Sequence, residues 1–295
     1  MLTQPDDDEQ NGAHDYTEAN RALWNTWTAR DIASEHHRDV ARYRATGSSL
    51  RGVELAELGA AVGVAGKSLL HLQCNMGSET LSWVRLGAHV TGVDIADDAI
   101  ARAQTLATEG GLTDEQARFI RADIYDLPPT LDGQFDIVFT SYGALFWLPD
   151  LTGWARLIAR CLKPSGVFYM VEMSPLTNML SFRPDAQPAN GRADLIFQVA
   201  NPYAHTAAPQ VEENTTAGGT ETVYVWSYGL GETLTALIQA GLRLEYVHEF
   251  PFAHYQRFPM LVQGDDSYWR WPAAADGATT NTAPLLFSTL ARKDG

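Results

Sequence analysis

From residue 68 onward the chain alternates short, almost wholly apolar runs with longer stretches in which apolar residues recur every three or four positions. The run Ser68-Leu69-Leu70-His71-Leu72 has the length of a buried parallel strand, and it breaks into a turn ending at Gly77. A helix carrying Leu81, Val84 and Leu86 follows and stops at Gly87. A second strand, His89-Val90-Thr91-Gly92-Val93, then ends in Asp94. The pattern repeats with a helix over 98–106 closed by Gly110-Gly111, a strand at 117–121 with Asp123 just beyond it, and a strand at 135–140. Leu151, Trp154, Leu157, Ile158, Cys161 and Leu162 mark one face of the next helix, the turn 163–166 ends it, and a fifth strand at 167–172 finishes in Glu172. This alternation predicts an α/β fold: a Rossmann-like, mostly parallel sheet covered by helices on both faces, with its ligand at the strand C-termini.

The flanks are patterned differently. Residues 5–11 are acidic and polar and are expected to be disordered, whereas 16–43 lack Pro and Gly and carry Leu23, Trp24, Trp27, Ile32, Val40 and Tyr43. Two short amphipathic helices are expected there, either docked on the body or acting as a cover, followed by a linker at 47–51 and a helix at 53–62. Beyond Glu172 an insertion rich in Pro, Asn, Thr and Gly runs to about Thr222, with Leu195, Ile196, Phe197 and Val199 scattered through it. A strand at 222–226 and a helix at 231–241 follow, and strands at 242–250 and 285–291 then bring the sheet to seven. The aromatic run from Phe250 to Trp271 is too interrupted by proline for a simple core element, so pocket lining and packing stand as equal readings. The organisation expected is therefore a tail and helical cover (1–50), a cofactor core (51–175), an insertion shaping the acceptor pocket (176–222) and a completion of the sheet (223–295).

Composition narrows the chemistry. With 295 residues and 45% hydrophobic content the chain can bury a full core, while a formal charge of −15 argues against nucleic acid, whose binding needs basic groups to displace counterions. A small-molecule partner is expected, and oligomerisation is left open. Only Cys74 and Cys161 occur, without CxxC, HExxH or an Asp-rich loop, so no disulfide framework and no metal are expected and both thiols should be buried. No apolar run is long enough for a bilayer, and the first residues lack the basic end and apolar centre of a signal peptide, which makes cytoplasmic location without membrane attachment the expectation. The arginine-rich, lysine-poor, alanine-rich composition suits an enzyme of bacterial specialised metabolism.

The βαβ unit at 68–94 suits a nucleoside cofactor, because a carboxylate at the tip of the second strand can accept from both ribose hydroxyls. Five linked segments, LLHLQCNMG, VTGVD, RADIYDLP, FDIVFTSYGALFWL and LKPSGVFYMVE, resemble in order and spacing the motifs of class I S-adenosylmethionine-dependent methyltransferases of the small-molecule type, across about 67–172. The resemblance implies S-adenosylmethionine as cofactor and an antiparallel last strand in the seven-stranded sheet. It places Gly77 and the backbone around Gln73 on the methionine part, Asp94 with Ile95 at the ribose, and Asp123 with the Ile124 N–H at the adenine edge. It also places the backbone of Thr140 and Ser141 on the cofactor floor, and Trp27 of the helical cover is a further candidate for contact with the cofactor.

This chain departs from that family's pattern at His71, where an acid is usual, and at Gln73 and Asn75, where glycines are usual. Side chains there would crowd a pyrophosphate, which weighs against the alternative of a nicotinamide-dependent oxidoreductase; a non-catalytic binding protein stays open. A histidine inside a buried strand is more often a satisfied core residue than a catalyst, and Asp94 and Asp123 also have the plainer reading of turn caps. The acceptor implied is small and aromatic or heteroaromatic, an indole-type carbon being the most pointed expectation. Proton removal would then fall to Glu172 first, at the end of the fifth strand, with His254 and Tyr16 as alternatives.

Overall fold

The computed structural model describes residues 7–30, 35–181, 198–199, 208–216, 219–272 and 283–295. Helices α1 (Asp7–Ala29) and α2 (Glu35–Thr46) lead into a short helical turn at Gly52–Glu54 that widens to π geometry over Leu55–Val62. The alternating core follows as β1 (Ser68–Leu72), α3 (Ser78–Arg85), β2 (His89–Asp94), α4 (Asp97–Glu109), β3 (Ala117–Arg121), β4 (Phe135–Ser141), α5 (Leu151–Cys161) and β5 (Leu162–Met173). A hairpin, β6 (Gln210–Thr216) and β7 (Gly219–Val225), precedes α6 (Leu230–Gln239), β8 (Leu242–Phe250) and β9 (Leu286–Lys293).

The main sheet has the order β8-β9-β5-β4-β1-β2-β3. Strand β9 runs antiparallel to both neighbours, as the family resemblance implies, and the remaining pairs are parallel, as the alternation of strands and helices predicts. Because successive side chains of a strand point to opposite faces, β1 sends Leu69 into one core layer with Trp83, Phe139 and Tyr169. Its Leu70 and Leu72 enter the other, with Trp154, Phe168 and Leu237. Burial on both faces explains why these strands are continuously apolar. The chain reverses its direction of travel across the sheet between β1 and β4, which leaves a crevice at their C-terminal ends where a ligand can enter.

Two expectations for the flanks change. One helix of 23 residues replaces the expected disordered start and first short helix. It is tied to the body at both sides. Arg21 pairs with Asp97 at the start of α4 at 2.6 Å, and Asn20 donates to the Tyr224 carbonyl of the hairpin at 2.6 Å. Leu23 packs on Val223 and Val225 between these ties. The insertion contains the hairpin, although its Leu195, Ile196 and Phe197 lie outside the described residues. The aromatic run divides. Phe258 stacks on Trp271 with centroids 5.7 Å apart in a separate apolar cluster with Leu180 and Leu285, while His254 and Tyr255 turn toward the crevice.

Candidate active site

The turn after β1 takes the backbone through the left-handed region three times, at Gln73 (φ 57°), Asn75 (φ 47°) and Gly77 (φ 75°). Only the last is glycine, so the other two carry backbone strain of about 1 kcal/mol or more each, offset by the bonds that hold them. Asp94 supplies one such bond: its Oδ2 accepts from the Asn75 N–H at 2.8 Å and its Oδ1 from the Ala96 N–H at 2.9 Å. Asn75 turns its own Oδ1 onto the Met76 N–H at 2.7 Å, and Gln73 donates through Nε2 to the Ala144 carbonyl at 2.8 Å. The other amide atom, Gln73 Oε1, is buried and has no hydrogen-bond partner among the described residues.

Above this turn lies a cavity of about 750 Å³. Its floor is made by Gln73, Asn75, Asp94, Asp123 and Ser141, and its roof by Trp24 and Trp27 of α1 with Phe146 and Trp147 from the loop after β4. The roof is a mutually packed set, with Trp24 edge-on to Trp27 and to Trp147 at 5.1 Å in each case. Trp27 is fixed further by donating through Nε1 to Glu221 Oε2 at 2.6 Å. The helical segment is thus both docked and a cover. Ile95 and Ile124 line the cavity near the two strand-end acids. Asp123 also caps its own turn by accepting from the Tyr125 N–H at 3.0 Å.

Four expected site residues are elsewhere. Gly77 does not line the cavity; a Cβ there would sit 2.7 Å from the Ala103 Cβ and 2.9 Å from the Phe119 ring, so glycine serves close packing of the turn on α4 and β3. Thr140 is fully buried on the far face of β4, and Ser141, one residue on, faces the cavity. Tyr16 packs on Tyr224 at 4.8 Å and on Trp226, outside the cavity, where Thr17 and Asn20 take the lining positions of α1.

Glu172 is the fourth. Its carboxylate accepts from the N–H groups of Gly143 (2.5 Å), Ala144 (2.8 Å), Leu145 (3.3 Å) and Met173 (2.6 Å), and it does not line the cavity. Burial pushes this carboxyl up from its ordinary value while the four N–H groups pull it down. It anchors the loop that carries Phe146 and Trp147, rather than facing an acceptor.

A group not foreseen from sequence occupies the β1/β4 side of the cavity. Glu79, in the first turn of α3, accepts a short hydrogen bond from Ser141, whose Oγ also meets His71 Nε2 at 3.2 Å. His71 is satisfied at its other nitrogen by Thr80 at 2.8 Å, and burial drives it down to about 3, so it is a neutral core residue. Arg51 faces Asp39 at 2.9 Å and Glu79 at 3.9 Å, while Glu54 accepts from the Tyr142 hydroxyl at 2.8 Å. Burial first, and then the charges of Glu54 and Asp39, push Glu79 up to about 8. Asp39 on the polar helix α2, Arg51 ahead of the short helical turn and Glu79 in the first turn of α3 each read on the sequence as solvated positions, so no signal there joined them. Among the described residues no group of three or more His, Cys, Asp or Glu converges as a metal site.

Residues 70–170 match the family model described as "Methyltransferase domain". The chain is 34% identical over 108 residues, 36% of its length, to a sterol 24-C-methyltransferase of Gibberella zeae, covering 28% of that relative. It is 32% identical over 122 residues, 41% of its length, to a ubiquinone biosynthesis O-methyltransferase of Xanthomonas oryzae pv. oryzae, covering 49%. The chain thus spans half the length, or less, of these curated relatives. A solved S-adenosylmethionine dependent methyltransferase from Mesorhizobium loti superposes with a TM-score of 0.52 at 23% identity, over 82% of this chain and 98% of that one, which shows the shared fold. Residues 70–170 thus match a methyltransferase domain, and the solved structure shares the fold that carries them.

The geometry of Glu172 generates a prediction. Glu172→Gln offers its N–H donors a single carbonyl oxygen and places an amide NH₂ against them, which should cost about 2–4 kcal/mol of folding stability. Urea denaturation checks this, and an unchanged midpoint would contradict the anchoring role.

Proposed function

We propose that the protein transfers a methyl group from S-adenosylmethionine to a small aromatic or heteroaromatic acceptor, in bacterial specialised metabolism. The observation that carries this reading is the cavity itself. It places two carboxylates at the tips of β2 and β3, an orphaned buried amide oxygen at the tip of β1, and an aromatic roof over all three. Ligand cavities of roughly 300–1,000 Å³ enclose drug-sized molecules, and 750 Å³ suits two reactants side by side.

Each lining group has a task. Asp94 keeps acceptor capacity for the ribose hydroxyls beyond the two N–H bonds it already accepts. Asp123 and the Ile124 backbone are set for the adenine edge, and Gln73 Oε1 for a donor at the amino-acid end. S-adenosylmethionine supplies a methyl group already activated on sulfur. What remains for the protein is alignment and exclusion of water, and the interlocked Trp24, Trp27 and Trp147 close the site while offering flat faces to an aromatic acceptor. The names of the two curated relatives, a sterol and a ubiquinone-pathway methyltransferase, also support a small acceptor. A nicotinamide cofactor is disfavoured because side chains stand at Gln73 and Asn75, where a pyrophosphate needs close backbone approach.

An indole-type carbon is the acceptor to test first. Its methylation forms a carbon–carbon bond as the sulfur–methyl bond breaks, and the proton on that carbon must leave. Of the three candidates for receiving it, only His254 lines the cavity, with its ring 4.2 Å from that of Tyr142 and beside Tyr255, whose hydroxyl is held by Met173 sulfur at 3.2 Å.

Two measurements follow. Asp94→Asn keeps the side-chain volume but removes the charge, so calorimetric titration should show S-adenosylmethionine affinity falling about 10- to 150-fold, the equivalent of about 1.5–3 kcal/mol for a charge-assisted contact; equal affinity in a folded variant would limit Asp94 to its turn. Mass spectrometry of indole-bearing acceptors should detect a methylated product, and His254→Asn should lower kcat by about 10²–10⁴-fold with cofactor affinity preserved. Turnover of the variant at the parent rate would remove His254 from the reaction.

A further inference from the structure

The floor of the cavity divides by chemistry along the sheet. Asp123 and Asp94, at the tips of β3 and β2, mark the nucleoside side. An extended ligand running from there across β1 must place its other end near β4, and the groups waiting there are Glu79, Ser141, His71 and Tyr142, with Asp39, Arg38 and His37 of α2 above them. The charge balance is uneven. Asp39, Glu54 and Glu79 surround Arg51, which is 6% exposed, and at Glu79 the charges of the two neighbouring acids outweigh that of the guanidinium. His71 is held neutral by burial and adds nothing positive. Leaving a buried carboxylate short of compensating charge is costly, and the cost is met either by a proton or by an incoming cation.

We propose that Glu79 is the carboxylate that meets the cationic amino-acid end of the bound cofactor, with Ser141 and Arg51 holding it in place. The inference rests on the cofactor assignment above. Without ligand, Glu79 is raised to about 8 by burial and by its acidic neighbours, so it carries a proton at neutral pH. A cation arriving beside it favours the ionised form, and the proton is released to solvent as the ligand binds. The sign follows. Because the free protein holds a proton that the complex lacks, affinity rises with pH, by up to about tenfold per unit below pH 8, and stops rising above it, where the ligand's own amino group begins to lose its charge. In the free protein the same group acts in the opposite direction on folding. The native state binds a proton between about 4.5 and 8 that the unfolded chain does not, so this contribution to stability is lost as pH rises through that window.

The test is calorimetric titration of the intact protein in buffers of different ionisation enthalpy at pH 6.5 and 8.5, with two probes. S-adenosylhomocysteine keeps the amino-acid end, and 5′-methylthioadenosine keeps the nucleoside but lacks that end. The expected result is release of most of a proton with S-adenosylhomocysteine at pH 6.5, little at pH 8.5, and none with methylthioadenosine. Glu79→Gln should abolish the release and weaken S-adenosylhomocysteine while leaving methylthioadenosine unchanged. Binding of S-adenosylhomocysteine without proton release, equal release with both probes (which would assign the proton to Asp94), or undiminished release in Glu79→Gln would each overturn the proposal. The two-probe comparison on the unaltered protein decides the matter even where Glu79→Gln does not fold. If neither S-adenosylmethionine nor S-adenosylhomocysteine binds, the cofactor assignment fails first and this inference falls with it.

Discussion

The bond from the Asn75 N–H to Asp94 Oδ2 is the tie on which the site depends. It joins the turn after β1 to the tip of β2, and it is made by a side chain already committed to the start of α4 through the Ala96 N–H. Left to itself, a turn with glutamine and asparagine in the left-handed region would relax, since each pays a steric cost that glycine avoids. Asp94 on one side and the Gln73–Ala144 bond on the other hold it open, so the turn is stretched between the β2 and β4 loops. That is how a chain lacking most of the expected glycines still presents an open turn to the cavity.

The same physical device recurs at the other loop. Glu172 collects four backbone N–H groups and thereby shapes the segment after β4 that brings Phe146 and Trp147 over the cavity. Two buried carboxylates thus organise backbone, and a third, Glu79, belongs to a network that faces the cavity. Their difference lies in what compensates the charge. Glu172 has donors on both oxygens, whereas Glu79 has the Ser141 hydroxyl and a guanidinium at 3.9 Å, and so remains the more open to a cation. Hydrogen-bonded burial makes an acid structural; incompletely compensated burial makes it responsive to a ligand.

The sheet was legible because its strands are buried on both faces and therefore appear as uninterrupted apolar runs: β1, β2 and β3 begin and end where the pattern places them, to within a residue. Asp94 and Asp123 were legible for a related reason, since an acid just past such a run has few places to go but the strand tips. Residues whose role depends on phase were not. One residue separates Thr140 from Ser141 and Tyr16 from Thr17, and the pattern does not fix which of each pair turns inward. Glu172 could be placed at the ligand end of its strand, but the loop that would enclose it could not be seen. Glu79 left no mark, because an acid in the first turn of a helix normally serves the helix dipole. The aromatic run divided between cavity and packing because the small sheet that sorts it is held by pairings between residues far apart in the run, such as Phe252 with Arg270.

Native mass spectrometry of the purified protein, with S-adenosylmethionine and NAD offered at equal concentration, tests the central claim most directly. The account predicts a single added mass equal to S-adenosylmethionine, or to S-adenosylhomocysteine if product is retained. Retention of NAD in its place would contradict it, because the side chains at Gln73 and Asn75 stand where a pyrophosphate would have to lie.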